Sequence, residues 1–308
     1  MKRLRIATRP SKLALAQTAL VTDMLRRIRP DMEMAVVEVS TTGDRDNRNF
    51  LTKAPTVGFF TSEVENAVLA GNADIAVHSL KDLPTASNDS LVIAAIPPRG
   101  DPCDVVVASK PLRSLADLPA GAGIGTSSLR RQAQVLNARP DLRILPIRGN
   151  VETRIAKLDK GDYDAIVLAA AGLKRLSLDG RISLRLNPCE FMFAPGQGAL
   201  AIQTRVDNRE AIEILSVLDH RPTSLAAAAE REVLSALHGG CSIPLGVCSD
   251  VQGDALTLSA ILATPDGRDM VRASVRGNLD DGASLARGLA AKLLSSATPA
   301  ILACLKLT

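Results

Sequence analysis

The chain has 308 residues, of which 46% are hydrophobic and 23% are charged, and its formal net charge is only +4. This length and composition are typical of a soluble globular protein with two or three domains, and no segment approaches the roughly 20 consecutive apolar residues of a membrane span. Tryptophan is absent and tyrosine occurs once, so the chain lacks the stacking aromatic side chains that bind single-stranded nucleic acids, and neither a membrane nor a nucleic acid is an expected partner.

The N-terminal part of the chain alternates apolar strands with amphipathic helices. Strands are predicted where Val, Ile and Leu are concentrated, at 4–8, 34–40, 74–77, 91–96 and 105–108. The spacing of apolar residues predicts a helix over 11–28, and Ser62 with Glu65 has the capping-box spacing for a second helix that stops at Gly71. This alternation predicts parallel sheets. Because the first residues run into a strand without the apolar core of a signal peptide, we expect a cytoplasmic protein.

The heptapeptide at 78–84 places Lys81 beside Asp82 where the apolar strand at 74–77 ends. Open α/β sheets bind ligands at the carboxyl ends of their strands, and charged groups are rarely buried there unless they are paired or used. The Lys-Asp step therefore indicates a candidate site. The alternative interpretation is a solvated turn, because turn residues are usually polar for backbone reasons.

A second α/β pattern begins after about residue 100, with strands predicted at 144–147 and 165–168 and a helix over 151–158. Before them, a glycine-rich segment at 121–125 leads to a helix from Ser128 that carries Arg130 and Arg131 in its first turn. The segment lacks the lysine of a Walker loop and the glycine spacing of a dinucleotide motif. Because the helix dipole disfavours cations at this end, the two arginines indicate an anionic ligand.

Arginines recur at the predicted carboxyl ends of strands or in the helices that start there. They are Arg9 after the first strand, Arg148 after 144–147, Arg154 one turn into the next helix, and Arg175 after the helical stretch that follows 165–168. Guanidinium groups bind carboxylates and phosphates through paired hydrogen bonds. We therefore expect a ligand that carries several such anionic groups.

The remainder of the chain predicts a hinge at the glycines of 196–198, a strand over 199–204, a helix over 208–218, and then a separate α+β domain. From residue 222 that domain has an Ala-rich helix, strands near 245–249, 256–262 and 270–276, and helices near 282–295. Its glycine-rich loop carries Cys241, for which the alternatives are a buried structural cysteine and a reactive thiol.

The five cysteines form no C-x-x-C pair, and the three histidines do not cluster with them. This pattern predicts neither a disulfide framework nor a metal site. We expect most of the cysteines to be small buried residues.

Six motifs, taken together and in order, closely resemble the porphobilinogen deaminase family, whose members are also called hydroxymethylbilane synthases. The motifs lie at 78–84, 125–132, 148–151 with Arg154, 171–175, 195–198 and 239–241. They span nearly the whole chain, so the resemblance is specific although any one motif could arise by chance.

The resemblance implies an α/β fold with two doubly wound domains like those of type II periplasmic binding proteins, followed by a smaller C-terminal α+β domain. The expected boundaries are 1–97 with 198–217 for domain 1, 98–197 for domain 2 and 218–308 for domain 3. It further implies a cytoplasmic transferase, which we expect to be a monomer without a metal ion.

The implied reaction is the stepwise head-to-tail condensation of four porphobilinogen molecules with release of ammonia, which gives 1-hydroxymethylbilane for heme and related tetrapyrrole biosynthesis. The resemblance implies a covalent dipyrromethane cofactor held by a thioether on Cys241, with Phe60 as its aromatic cover. Asp82 matches the catalytic aspartate. The positions that bind the acetate and propionate groups of cofactor and substrate are matched by Arg9, Ser11, Lys81, Ser128, Arg130, Arg131, Arg148, Arg154 and Arg175.

Two departures from the family pattern stand in this sequence. Where family members often have a proline after the first strand, this chain has Lys12, and the segment 56–60 lacks the lysine of the family's mobile loop. The main alternative function is a two-lobed anion-binding protein without catalysis, which the third domain, Cys241 and the expected lack of export argue against. A nucleotide-dependent enzyme that uses the segment 121–128 is disfavoured, because this segment lacks the lysine and the glycine spacing of the nucleotide-binding motifs.

Overall fold

The computed structural model describes residues 2–41, 61–86, 88–237 and 243–306. Within these ranges the strands are β1 (Arg3–Thr8), β2 (Glu33–Glu38), β3 (Ile75–Ser79), β4 (Leu91–Ala95), β5 (Asp104–Ala108), β6 (Gly123–Gly125), β7 (Arg143–Leu145), β8 (Ala165–Ala169), β9 (Leu184–Arg185), β10 (Leu200–Arg205), β11 (Leu245–Gln252), β12 (Ala255–Ala263) and β13 (Met270–Asn278). The helices are α1 (Lys12–Ile28), α2 (Ser62–Leu69), α3 (Leu129–Ala138), α4 (Val151–Asp159), α5 (Ala170–Arg175), α6 (Arg209–Ser216), α7 (Arg221–Ala236), α8 (Gly282–Ser296) and α9 (Pro299–Lys306).

The chain forms two compact units, of which unit 1 comprises Met1–Gly100 and Gly198–Ser224. Its five-stranded sheet has the order β2-β1-β3-β10-β4, with β10 antiparallel to both neighbours. Successive side chains of a strand point to opposite faces, and both faces of this sheet are apolar. Ile6 packs in a cluster with Val21 of α1, whereas its neighbour Ala7 packs with Val64 of α2. Helices therefore cover the sheet on both sides.

Unit 2 comprises Asp101–Gln197 and Leu225–Thr308. Its five-stranded sheet has the order β7-β6-β8-β5-β9, with β5 antiparallel to both neighbours. Val106 contributes to the apolar cluster on one face, and Val107 contributes to the cluster on the other face. The sheet thus repeats the plan of unit 1, in which one reversed strand stands second from an edge.

Unit 2 also contains an antiparallel three-stranded sheet, β11-β12-β13. One face of this sheet packs on α7 and α8 through Leu258, Val233 and Leu289, which are all fully buried. The hairpin between β12 and β13 contacts α3, where the Asn137 side-chain amide donates a 2.9 Å hydrogen bond to the carbonyl of Gly267. The smaller α+β domain therefore packs directly on the helix that begins with the paired arginines.

The predicted fold class, two doubly wound α/β domains with a smaller C-terminal α+β domain, is confirmed. The prediction of parallel sheets is correct for β1, β2 and β3 and for β6, β7 and β8, but wrong for β5 and β10, which are reversed in their sheets. These are the strands that the chain forms just after it leaves one unit for the other, so strand and helix alternation along the sequence does not reveal their direction. The three-domain boundaries stay a prediction.

Two local predictions are also corrected. The capping box is wrong, because Ser62 is the first residue of α2 and Thr61 stands at the N-cap without a side-chain cap. The four described cysteines are not fully buried, since Cys189 is exposed and the other three, Cys103, Cys248 and Cys304, are partly exposed. Strand β9 and helix α9 were not predicted, because β9 is only two residues long and the short apolar C-terminal segment lacks a distinct period.

Candidate active site

A pocket in unit 1 lies where β1 and β3 end. Its lining includes Arg9, Ser11 and Asp82, so the structure brings together three of the residues that the sequence analysis singled out. Ser11 is the N-cap of α1, and its hydroxyl accepts a hydrogen bond of 3.3 Å from the backbone N–H of Ala14. The cap begins α1 immediately after β1, which leaves Arg9 in the short connection beside the pocket.

The position of Asp82 is fixed by its backbone neighbours. The short 3-10 turn Leu80–Asp82 follows β3 directly. Leu80 is completely buried, and its backbone N–H donates a hydrogen bond of 3.0 Å to the carbonyl oxygen of Ala199. Lys81 is partly buried in the same turn, while Asp82 itself is exposed. The buried leucine therefore anchors a turn that presents the carboxylate to the pocket and to solvent.

The pocket also contains polar residues to which the sequence analysis assigned no role. The Gln17 side-chain amide donates a hydrogen bond of 2.8 Å to the hydroxyl of Ser79. His78 is buried, and burial lowers its pKa to about 4, an effect only partly opposed by the nearby Gln203 side chain. The imidazole is therefore neutral at physiological pH. A polar residue on the apolar face of a predicted helix, such as Gln17, is the signal that could have identified this group.

In unit 2, Ser128 is the N-cap of α3, and its hydroxyl accepts from the backbone N–H of Arg131 at 3.4 Å. Arg130 and Arg131, in the first turn of α3, are both buried. Arg130 Nη1 lies 2.5 Å from Asp104 Oδ2, and Arg131 Nη2 lies 2.6 Å from Asp104 Oδ1. A third hydrogen bond joins Arg131 Nε to Asp104 Oδ1 at 3.1 Å. Both arginines are thus held by the first residue of β5.

The electrostatics of this cluster are dominated by its burial. Asp104 is fully buried, and burial alone would raise its pKa, but the positive charges of Arg130 and Arg131 outweigh that effect and hold the pKa well below its usual range. Burial lowers the pKa of Arg130, although a guanidinium stays protonated at any physiological pH. Among the described residues, the anion that faces both arginines is Asp104, and the anionic ligand that the helix dipole indicated stays a prediction.

Gln197 completes the cluster. Its side-chain amide donates to Asp104 Oδ1 at 2.9 Å and to the carbonyl of Pro102 at 2.7 Å, and the side chain is fully buried. Gly196 and Gly198 on either side have φ angles of +73° and +86°, a region that glycine occupies without strain. The segment predicted to be a hinge therefore places a buried side chain that donates to Asp104, the carboxylate that holds the two arginines.

The other predicted carboxylate-binding residues lie on separate elements of unit 2. Arg148 is exposed in the connection before α4. Arg154 lies in the first turn of α4, and its Nε donates to the carbonyl of Gly149 at 2.8 Å. Arg175 ends α5 directly after β8, and burial lowers its pKa to about 10, so it remains a cation at neutral pH. Phe60 and Cys241 lie outside the described residues.

Comparison with known proteins gives a consistent result. A sequence model described as "Porphobilinogen deaminase, dipyromethane cofactor binding domain" matches residues 4–213, and a second one described as "Porphobilinogen deaminase, C-terminal domain" matches residues 224–295. The chain belongs to the porphobilinogen deaminase family. The predicted family and the predicted class of enzyme are therefore confirmed.

Curated relatives named porphobilinogen deaminase align over nearly their full length. The protein from Roseiflexus sp. (strain RS-1) is 45% identical over 298 residues, covering 97% of this chain and 98% of that protein. Those from Prochlorococcus marinus (strain MIT 9312) and Xanthomonas oryzae pv. oryzae (strain KACC10331 / KXO85) are 46% and 45% identical, and cover 94% and 99% of this chain and 93% and 100% of those proteins. A solved structure with a weaker similarity, the periplasmic aliphatic sulphonate binding protein from Escherichia coli, has a TM-score of 0.41 and 17% identity, and the match covers 76% of this chain and 70% of that one.

The family's cofactor is dipyrromethane, which carries carboxylate side chains, and the arginine cluster of unit 2 is suited to such a group. Two guanidinium cations face one carboxylate there, which leaves one positive charge without an anion in the cluster. The buried Nε of Arg130 has no hydrogen-bond partner among the described residues. A buried donor and a surplus positive charge both favour an added carboxylate.

Proposed function

We propose that this protein is a hydroxymethylbilane synthase, which joins four porphobilinogen molecules head to tail with release of ammonia and forms 1-hydroxymethylbilane in the biosynthesis of heme and related tetrapyrroles. The observation that carries the proposal is the unit 1 pocket in which Asp82 lies with Arg9 and Ser11. The family to which the chain belongs provides the reaction class. The alternative of an anion-binding protein without catalysis is not favoured by that membership.

Asp82 has the role of an electrostatic stabiliser in this proposal. Porphobilinogen becomes an electron-poor ring when ammonia leaves, and a fixed carboxylate at that point stabilises the developing positive charge. The buried Leu80 anchors the backbone of the turn that carries this carboxylate. Arg9 and Ser11 supply a cation and a hydroxyl donor for the carboxylates of the pyrrole.

The cofactor-binding residues form the second part of the proposal. Dipyrromethane, when bound, supplies the covalent primer to which pyrrole units are added. Cys241 would hold it through sulfur, and Phe60 would cover it. Its carboxylates, and those of the growing oligopyrrole, would be bound by the remaining predicted residues, which are Lys81, Ser128, Arg130, Arg131, Arg148, Arg154 and Arg175.

The charge of Asp82 can be tested by two substitutions. We expect Asp82→Glu to keep measurable turnover of porphobilinogen, because it retains the carboxylate, and Asp82→Asn to keep almost none. Asp31→Asn, which changes an exposed carboxylate in the connection between α1 and β2, is the matched control and should have the wild-type rate. Comparable rates for Asp82→Glu and Asp82→Asn would refute the charge argument.

The cofactor attachment can be tested by intact-protein mass spectrometry. Wild-type protein should carry the added mass of one dipyrromethane, and Cys241→Ser should have the mass of its sequence while retaining the same fold by circular dichroism. A wild-type protein at its unmodified sequence mass, purified from a host that makes tetrapyrroles, would contradict the proposal. The same measurement on Arg148→His should show reduced loading, and normal loading would count against the role of that arginine.

A monomeric state, a cytoplasmic location and the lack of nucleic-acid or membrane partners also belong to the proposal. The helices in the described part of the chain include none with the length and apolar character to cross a bilayer. Sedimentation of the purified protein at several concentrations tests the oligomeric state, and a mass that rises with concentration would contradict a monomer.

A further inference from the structure

Asp104 is the residue on which the buried arginine cluster is organised. Its two carboxylate oxygens accept four hydrogen bonds, from Arg130 Nη1, from Arg131 Nε and Nη2, and from Gln197 Nε2, at distances between 2.5 and 3.1 Å. The two arginines are also tied to the backbone, since Arg130 donates to the carbonyl of Met192 and Arg131 to that of Val167. Neither guanidinium can turn without breaking these contacts.

One carboxylate does not neutralise two guanidinium groups, so Asp104 leaves one positive charge of the pair unbalanced among the described residues. Taking charge out of water is costly, and a surplus buried cation is normally avoided unless it is used. The surplus here coincides with a buried donor, Arg130 Nε, that has no partner in the described residues. Within the described residues the cluster is therefore tightly hydrogen-bonded and has one positive charge more than its carboxylate balances, and Arg130 Nε has no acceptor there.

We propose that Asp104 is a positioning residue, which fixes Arg130 and Arg131 in advance so that together they bind one carboxylate of dipyrromethane. This inference rests on the proposed function for the identity of the ligand. Asp104 does not touch the ligand in this account and acts through the two arginines. Fixing the guanidinium groups beforehand removes the loss of side-chain entropy that a flexible arginine incurs when it binds.

The test uses Asp104→Asn, which has nearly the same shape but no charge, and Asp104→Glu, which keeps the charge but moves it by one methylene. Asp159→Asn is the matched control, because Asp159 forms an exposed ion pair with Arg181 in the same unit. Each variant is made in the wild-type chain for cofactor loading by intact mass. Each is also made with Cys241→Ser, so that calorimetry can measure the affinity for a synthetic dipyrromethane bearing acetate and propionate groups.

We expect Asp104→Asn to bind the dipyrromethane roughly tenfold or more weakly than the Cys241→Ser parent, since charge-assisted hydrogen bonds from two arginines are lost or misdirected. Asp104→Glu should fold, and its affinity for the dipyrromethane should lie between that of Asp104→Asn and that of the parent. The affinity of Asp159→Asn should equal that of the parent. Affinity and loading equal to wild type in Asp104→Glu would overturn the positioning role even if Asp104→Asn does not fold. Equal values in Asp104→Asn would overturn it directly.

A measurement without substitution at the cluster gives an independent answer. In the Cys241→Ser protein without ligand, the Nε–H of Arg131 should exchange slowly with solvent by nitrogen NMR, because Asp104 already holds it. Fast exchange that slows only after the dipyrromethane is added would overturn the inference. If the proposed function itself is wrong, the wild-type chain carries no adduct and the Cys241→Ser protein binds no dipyrromethane. If only the positioning role is wrong, the wild-type chain still carries the adduct and the Cys241→Ser protein still binds dipyrromethane.

Discussion

The buried, neutral imidazole of His78 should make the stability of the protein depend on pH, and this can be measured directly. Its ring lines the same pocket as Asp82, and burial lowers its pKa from an ordinary 6.5 to about 4. Between these two pH values the unfolded chain binds a proton at His78 and the folded chain does not. Folding therefore becomes less favourable as the pH falls from about 6.5, and the penalty is complete below about 4.

The size of the penalty follows from the displacement of the pKa. Each pKa unit corresponds to about 1.36 kcal/mol of difference between the protonation states. A fall from 6.5 to about 4 then amounts to roughly 3 kcal/mol of lost stability at low pH. This is a large part of the 5–15 kcal/mol by which a typical domain is stable. Unit 1 should therefore lose structure at a higher pH than its carboxylates alone would cause.

The assay is histidine-selective NMR over pH 4 to 8, which is practical because the chain has only three histidines. The resonance that disappears in His78→Gln identifies the ring, and we expect it to keep the shifts of a neutral imidazole throughout the range above pH 5. Denaturation of the same two proteins should show that their difference in stability changes between pH 7 and pH 4.5. A His78 ring that titrates near pH 6.5, or a difference that does not depend on pH, would refute the reasoning.

Two further predictions concern packing and thiol chemistry. A Cβ at Gly267 would lie 2.3 Å from the carbonyl oxygen of Ala133 at a φ of +68°, whereas one at Gly253 meets no described atom within 4 Å at a φ of +59°. Gly267→Ala should therefore lower the thermal midpoint clearly more than Gly253→Ala, which carries only about 1–2 kcal/mol of backbone strain, and equal midpoints would contradict the hairpin contact. Burial and the neighbouring Asp101 raise the pKa of Cys103 to about 11, so at pH 8 it should react with iodoacetamide roughly tenfold or more slowly than the exposed Cys189; peptide mapping over time checks this, and equal rates would be the contrary result.

The sequence was sufficient to predict features that depend on neighbouring residues. The helix predicted over 11–28 follows from apolar spacing, and the structure has α1 at Lys12–Ile28 with Ser11 as its N-cap. The candidate site at Asp82 followed from a strand that runs into a polar turn. In both cases the physical cause acts over a few residues, so the pattern of the chain contains it.

The pairing of Arg130 and Arg131 with Asp104 could not be predicted in that way. Asp104 is separated from Arg130 by 26 positions in the sequence, and the contact depends on the reversed strand β5 standing beside β8. The helix dipole marks the start of α3 as an unfavourable position for two cations, but it does not show which anion pairs with them. An acidic residue that opens the apolar run at 105–108 was the one available signal, because such a residue has to be paired when it is buried.

The two units hold their charged groups in different ways, and the difference follows from what each group has to do. In the proposed function Asp82 would stabilise charge on a substrate that must come and go, and this fits its exposed position on a turn whose backbone is fixed by the buried Leu80. Arg130 and Arg131 would hold a cofactor that stays covalently attached. Their burial would therefore not slow the release of substrate or product, and Asp104 can hold them in one position. If Asp104 were only a structural counter-ion, a cluster with no surplus charge would have been less costly to bury, since an unmatched buried cation is destabilising. The surplus charge among the described residues therefore supports the proposed binding of a ligand carboxylate.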